Sequence, residues 1–218
     1  MKKIAVVLCG SGYKDGSEIR ESVAVLWGLE TLGAQWQCFA PDAPQCDVIN
    51  CLTGATLPES RNQMVEAARI ARGQVAPLAS LKAADYDGII LPGGFGAAKN
   101  LCNFAFKGMG GEVIPSLKQT LQDFHRVHKP IGAVCIAPAI LALAFKGQPL
   151  ELSVGAECEA SRAITGLGHK HIVTQVNECH VDLKNKVVTT PAYMYDNAKL
   201  DQLFEGVRRL VGAVVELT

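Results

Sequence analysis

Three short runs of the chain are apolar without alternation, and each ends at glycine or another small residue just before a helical pattern begins. Residues 2–9 lead into Gly10-Ser-Gly12, residues 87–91 into Pro92-Gly-Gly-Phe-Gly96, and residues 131–134 into Cys135, with Ala133 and Ala137 two residues to either side. A strand that is apolar on both faces must be covered on both faces, and a parallel sheet between two layers of helices does this. The helical pattern after the first run covers residues 18–32, with apolar residues at Ile19, Val23, Leu26 and Trp27 and a C-cap glycine at Gly33. Residues 35–40 read as a second strand, 59–72 as an amphipathic helix, 115–127 as a helix with Pro115 in its first turn, and 138–145 as a further helix. Residues 178–190 resemble a hairpin turning at Lys184-Asn185, and 196–215 close the chain as a helix. Repeated strand–helix units joined by short glycine-rich loops predict an α/β fold: an open, mostly parallel sheet with helices on both faces. No repeat, low-complexity stretch or linker divides the chain, so residues 1–218 are expected to form one domain.

Charge and composition narrow the function classes. The 218 residues carry 21 Lys+Arg against 21 Asp+Glu, with no basic cluster, which argues against nucleic acid as a partner. Residues 131–145 form the longest apolar stretch but contain Gly132 and Pro138 and fall short of the ~20 residues a spanning helix requires, so no membrane partner is expected. Six apolar residues, 4–9, are too few for a signal-peptide core of roughly 7–15. The eight cysteines, at 9, 38, 46, 51, 102, 135, 158 and 179, show no C-x-x-C pair, and scattered thiols suit a reducing cytoplasm. His169, His171, Cys179 and His180 offer metal-ligand types, but their spacing matches no zinc pattern, and no metal is expected.

Chemistry concentrates at Cys135. A buried strand running into a cysteine, with a helix following at once, is the arrangement of a nucleophile elbow. A helix N-terminus favours thiolate over thiol, which predicts Cys135 to be the most acidic of the eight thiols. The Pro92-Gly-Gly-Phe-Gly96 turn follows another buried strand, and its spacing fits neither a dinucleotide fingerprint nor a phosphate loop. An oxyanion site built from the Gly94 and Ile136 N–H groups suits it better. Asp15-Gly-Ser-Glu18 opens the first long helix and has two readings: Asp15 or Ser17 as the cap with Glu18 in the first turn, or Glu18 as a functional carboxyl at the sheet's C-terminal edge.

Together with these stretches, Asp47-Val-Ile-Asn-Cys-Leu-Thr-Gly54, Arg61-Asn62 with Glu66-Ala-Ala-Arg69, Cys135-Ile-Ala-Pro138 and Val188-Thr-Thr-Pro-Ala-Tyr-Met194 resemble the ElbB-like family. This family, also called enhancing-lycopene-biosynthesis or sigma cross-reacting protein, lies within the PfpI-type, glutamine-amidotransferase-like superfamily. The resemblance implies a flavodoxin-like three-layer sandwich, a homodimer, a link to isoprenoid biosynthesis and cofactor-free glyoxalase activity on small α-oxoaldehydes. Carried onto this sequence, it makes Cys135 the nucleophile, Glu18 its partner carboxyl, and Gly93, Gly94 and Ile136 the oxyanion and substrate-binding positions. Cys135 would form a hemithioacetal and Glu18 would move a proton between the two carbons, with no cofactor.

The chain departs from the wider superfamily in its histidines. Ile136 stands where the superfamily's proteases carry His, and none of His125, His128, His169, His171 and His180 lies in an amidotransferase motif. Amide hydrolysis needs an acid for the leaving amine, so protease and amidotransferase activities are not expected. His169 and His171 read as surface residues. The alternatives to a glyoxalase are a cysteine redox sensor, a binding or chaperone-like protein, and a protein deglycase.

Overall fold

The computed structural model describes residues 1–218. In chain order the elements are β1 (Lys3–Val7), α1 (Ile19–Thr31), β2 (Gln35–Ala40), α2 (Gln63–Ile70), β3 (Val75–Pro77), β4 (Gly88–Leu91), α3 (Ala97–Asn100), α4 (Phe104–Lys107), α5 (Pro115–Arg126), β5 (Ile131–Val134), α6 (Ala137–Ala144), β6 (Glu151–Leu152), α7 (Glu159–Gly166), β7 (Lys170–His171), β8 (His180–Asp182), β9 (Val187–Thr190) and α8 (Leu200–Glu216). No helix is long and apolar enough to cross a membrane.

Seven strands form one sheet in the order β3-β2-β1-β4-β5-β9-β8, while β6 and β7 form a separate two-stranded piece. All neighbours in the large sheet are parallel except β8 and β9, the antiparallel hairpin. The three-layer α/β architecture expected from the sequence is therefore present. The central strands β1, β4 and β5 have no exposed residue, which explains their unbroken apolar runs. Helices α1 and α8 pack together on one face, and α5 and α6 cover β5 from the other. Strand order reverses between β1 and β4, and a sheet of this kind opens a crevice beyond the carboxyl ends of the strands on either side of that reversal.

Two sequence expectations are corrected. The helix expected over 59–72 begins only at Gln63, because the Asn62 side chain caps it, accepting from the N–H groups of Met64 at 2.9 Å and Val65 at 3.0 Å. On α1 the apolar residues chosen as the core stripe lie mostly outside: Ile19, Val23 and Trp27 are 46%, 43% and 45% exposed, and only Leu26 is buried. The buried face instead carries Glu21, Ser22, Val25, Gly28 and Leu29, with Gly28 in contact with Val211 of α8. A glycine there lets α1 and α8 approach closely. The short elements β3, β6, β7, α3, α4 and α7 were not apparent in the sequence pattern.

Strand β5 carries the elbow and is tightly held. A Cβ on Gly132 would lie 3.0–3.1 Å from Val214 and Leu210 of α8 and from Ile90 of β4. Gly132→Val should therefore overpack this layer, lowering stability by about 1–3 kcal/mol and the urea midpoint accordingly.

Candidate active site

Cys135 follows β5 directly and has φ +60°. For a residue with a side chain this left-handed conformation is strained, and neighbouring backbone fixes it: the Cys135 N–H donates to the carbonyl of Thr190, the last residue of β9, at 2.9 Å. The turn lifts the side chain off the sheet and onto the crevice floor, where it is 7% exposed. Gly93 lies under it. A Cβ on Gly93 would overlap the Cys135 Cβ and sit 2.6 Å from Glu21 Oε2, so only glycine fits between them.

The carboxyl beside Cys135 belongs to Glu21, whose Oε2 and the Cys135 Cβ both border the space over Gly93. Glu21 is fully buried; its Oε2 accepts the Gly93 N–H at 3.0 Å and its Oε1 the Tyr193 N–H at 3.2 Å. This reassigns the role expected of Glu18. Glu18 is the N-cap of α1, with its Oε2 accepting the Glu21 N–H at 2.7 Å, so its carboxylate is turned on the helix backbone while it also forms part of the crevice wall. One turn later the helix points Glu21 at the sheet edge. Neither Asp15 nor Ser17 is the cap: Asp15 accepts from the Ile49 N–H and Ser17 from the Cys9 N–H.

The expected oxyanion donors divide. The Gly94 and Ile136 amides share the crevice with Cys135 and lower the proton affinity of its thiol. The Gly93 N–H is taken by Glu21, so Gly93 serves the site by its lack of a side chain and not as a donor. Gly94 has φ +100°, and a Cβ there would press on Gly16 and Glu18 backbone. The glycine-rich turns after β1 and β4 meet there backbone to backbone.

Burial, together with the nearby charge of Glu18, pushes the Glu21 carboxyl up to about 8. Burial and any charge on Glu21 also push the Cys135 thiol up, while the Gly94 and Ile136 amides pull it down. The sequence expectation that Cys135 is the most acidic thiol is overturned: burial, the largest effect, holds it well above the ordinary thiol range. Near neutrality Glu21 holds its proton, which removes the carboxylate's repulsion of charge on the sulfur and leaves burial as the main effect that opposes it. Cysteine and glutamate act as one proton-sharing unit.

The histidines are elsewhere. His169 is buried, not at the surface: its Nδ1 accepts the Leu150 N–H at 3.2 Å and its Nε2 lies 2.9 Å from Ala142 O, which fixes it as a packing residue. His180 pairs with Glu151 at 2.9 Å. No histidine lines the crevice, whose volume is about 1090 Å³.

No protein-family model matches the chain. Full-length relatives do. The human "Glutamine amidotransferase-like class 1 domain-containing protein 3, mitochondrial" is 46% identical over 99% of this chain and 83% of its own length. The chain belongs to the glutamine amidotransferase-like class 1 family. Another of its relatives, the zebrafish "ES1 protein, mitochondrial", is 32% identical over 99% of this chain and 86% of its own length. Among solved structures, an Ehrlichia chaffeensis "isoprenoid biosynthesis protein with amidotransferase-like domain" superposes with a TM-score of 0.92 at 32% identity, covering 100% of this chain and 99% of its own. Drosophila melanogaster DJ-1beta, at 16% identity and a TM-score of 0.57 over 99% of this chain and 95% of its own, shares the fold. In this glutamine amidotransferase-like class 1 protein, the crevice is lined by the thiol of Cys135 and the carboxyls of Glu18, Glu159 and Asp196, with no imidazole.

A folded-state value near 8 against an ordinary value of 4.5 means that the native protein holds the Glu21 proton more tightly than the unfolded chain. The resulting stability is complete below about pH 4.5 and is lost as pH rises through 8, at up to roughly 1.4 kcal/mol per pH unit between those values. Glu21→Gln, which cannot ionise, should flatten this fall in urea titrations.

Proposed function

We propose that this chain is a cofactor-independent glyoxalase of the ElbB-like kind, converting glyoxal, and methylglyoxal with it, to the 2-hydroxy acid. The supporting observation is the Cys135 thiol held among a neutral buried carboxyl and two amide N–H groups on a crevice floor. The Cys135 thiolate adds to an aldehyde carbon, forming a C–S bond, and the carbonyl oxygen takes the proton of Glu21 to give a hemithioacetal, leaving Glu21 as carboxylate. Glu21 then removes the hydrogen from that carbon and, through an enediol, delivers a proton to the adjacent carbon, while the hydroxyl proton of the first carbon passes to the oxygen of the second. The first carbon is oxidised to a thioester and the second is reduced to an alcohol. Water cleaves the thioester, releasing the 2-hydroxy acid and restoring the thiol; the net change is addition of one water. The Gly94 and Ile136 N–H groups that face the sulfur stand beside the oxygen carried by the sulfur-bound carbon, where negative charge develops.

A carboxyl that titrates near 8 can give and take a proton at neutral pH, which is the property this sequence requires. The name of the Ehrlichia chaffeensis relative suggests isoprenoid biosynthesis as the setting. A second reading rests on the same pair: a neutral carboxyl donating to sulfur also stabilises a sulfinate, as in a redox sensor.

Purified protein should convert glyoxal to glycolate without glutathione and release no ammonia from glutamine. Cys135→Ala should be inactive, and Glu21→Gln should lose about 10²-fold or more in kcat, well beyond the loss in Glu18→Gln. Retention of the wild-type rate by Cys135→Ala would reject the proposal. Absence of turnover together with selective addition of two oxygens at Cys135 by mild peroxide, read by intact mass, would favour the sensor.

A further inference from the structure

Glyoxal consists of two joined formyl groups, whereas the crevice above Cys135 measures about 1090 Å³, just above the ~300–1,000 Å³ range that holds drug-sized ligands. Four aromatic rings stand among the charged side chains of its walls. Tyr13 and Phe95, 47% and 52% exposed, stand with the half-buried Phe104 and Tyr193 around the thiol. Exposed rings of this number beside a reactive group are unusual on a surface that has nothing apolar to bind.

Three of these rings are also held in place. Lys14 lies 5.5 Å from the Tyr13 ring centre, Lys99 lies 5.5 Å from that of Phe95, and Arg20 donates to the Tyr193 hydroxyl at 2.7 Å. Lys99 is itself fixed by Asp47 at 2.6 Å with its side chain 5% exposed, and the Phe95 N–H donates to Tyr13 O at 2.7 Å. An ion pair this buried, set behind a ring that remains open to solvent, orders that ring before any ligand arrives. Preordered apolar surface binds an apolar group without the entropy cost of assembling it.

Resting on the glyoxalase reading, we infer that the preferred substrate is a 2-oxoaldehyde carrying an apolar substituent of phenyl size or larger, its aldehyde carbon at Cys135 and its substituent against Tyr13, Phe95 and Phe104. The chemistry is the rearrangement given above; only the group on the second carbon changes. Burial of a phenyl-sized group is worth roughly 10- to 100-fold in affinity, so the gain from hydrogen to phenyl is about 30-fold in kcat/KM.

Initial rates on glyoxal, methylglyoxal and phenylglyoxal, kept short to limit arginine modification, test this directly. The expected result is a rise along the series, with phenylglyoxal favoured over glyoxal by ~30-fold or more, and a fall of that ratio by ~10-fold in Phe95→Ala, which removes most of one wall. Because the ratio is taken within each protein, differences in folded fraction cancel. Binding gives a second readout: Cys135→Ala should bind mandelate at least ~10-fold more tightly than glycolate in a calorimetric titration. A flat series with measurable glyoxal turnover, or a ratio unmoved by Phe95→Ala, overturns the substrate class and leaves the glyoxalase reading standing. No turnover of any member overturns both.

Discussion

Everything at the crevice depends on one buried carboxyl. Glu21 has no solvent, and a polar group so placed is tolerated only if its hydrogen bonds are made within the protein. Its two oxygens take the N–H groups of Gly93, after β4, and Tyr193, after β9, and the same carboxyl reaches Cys135, after β5. Three loops from three strands are thereby joined to the first turn of α1. The constraint also explains Gly93, since a methyl there would occupy the space shared by the thiol and the carboxyl. Ala192 is part of the same arrangement: its φ of +42° belongs to the turn that carries the Tyr193 N–H to Glu21.

The strain at Cys135 and the raised proton affinity at Glu21 are two consequences of packing a thiol and a carboxyl into one dry spot. An elbow alone would leave the thiol beside a helix terminus and lower its proton affinity. The burial that brings Glu21 within reach works in the opposite direction and couples the two titrations. With the proton on Glu21, charge on the sulfur is opposed by burial and favoured by the Gly94 and Ile136 amides; with Glu21 ionised, it is opposed further. Nucleophile strength is thus tied to the state of the group that must later accept a proton, which suits a cycle whose first step needs the thiolate and whose second needs the carboxylate.

The sheet was legible in the sequence because strands buried on both faces leave unbroken apolar runs; β2 and β5 were bounded to the residue. Cys135 was legible for the same reason, lying between such a run and a helix. Glu21 was not. On α1 the apolar residues Ile19, Val23 and Trp27 repeat every four positions and suggest a core stripe, yet they face outward, and the true inner face is small and polar because α8 and the active site meet it. The missed signal was a glutamate on the face shared by Val25, Gly28 and Leu29, four, seven and eight positions later. His169 was likewise misplaced, since two backbone partners distant in sequence, Leu150 and Ala142, create its burial. The two-residue strands β6 and β7 are too short to leave any period, and α7 follows a cap at Cys158, a residue seldom found in that role.

The family name invites amide chemistry, but the proton carriers argue for something else. Expelling an amine requires an acid placed at the leaving nitrogen, on the far side of the carbonyl from the attacking sulfur, and the imidazoles that could serve lie in the packing beneath the crevice or at the β6–β8 edge. A rearrangement between neighbouring carbons makes a smaller demand. The proton leaves one atom and arrives at the next, within reach of a single side chain, and no amine departs. One carboxyl whose affinity is balanced near neutrality can perform both halves of that transfer, so the buried position of Glu21, a liability for a hydrolase that needs a charged partner, fits an isomerising enzyme.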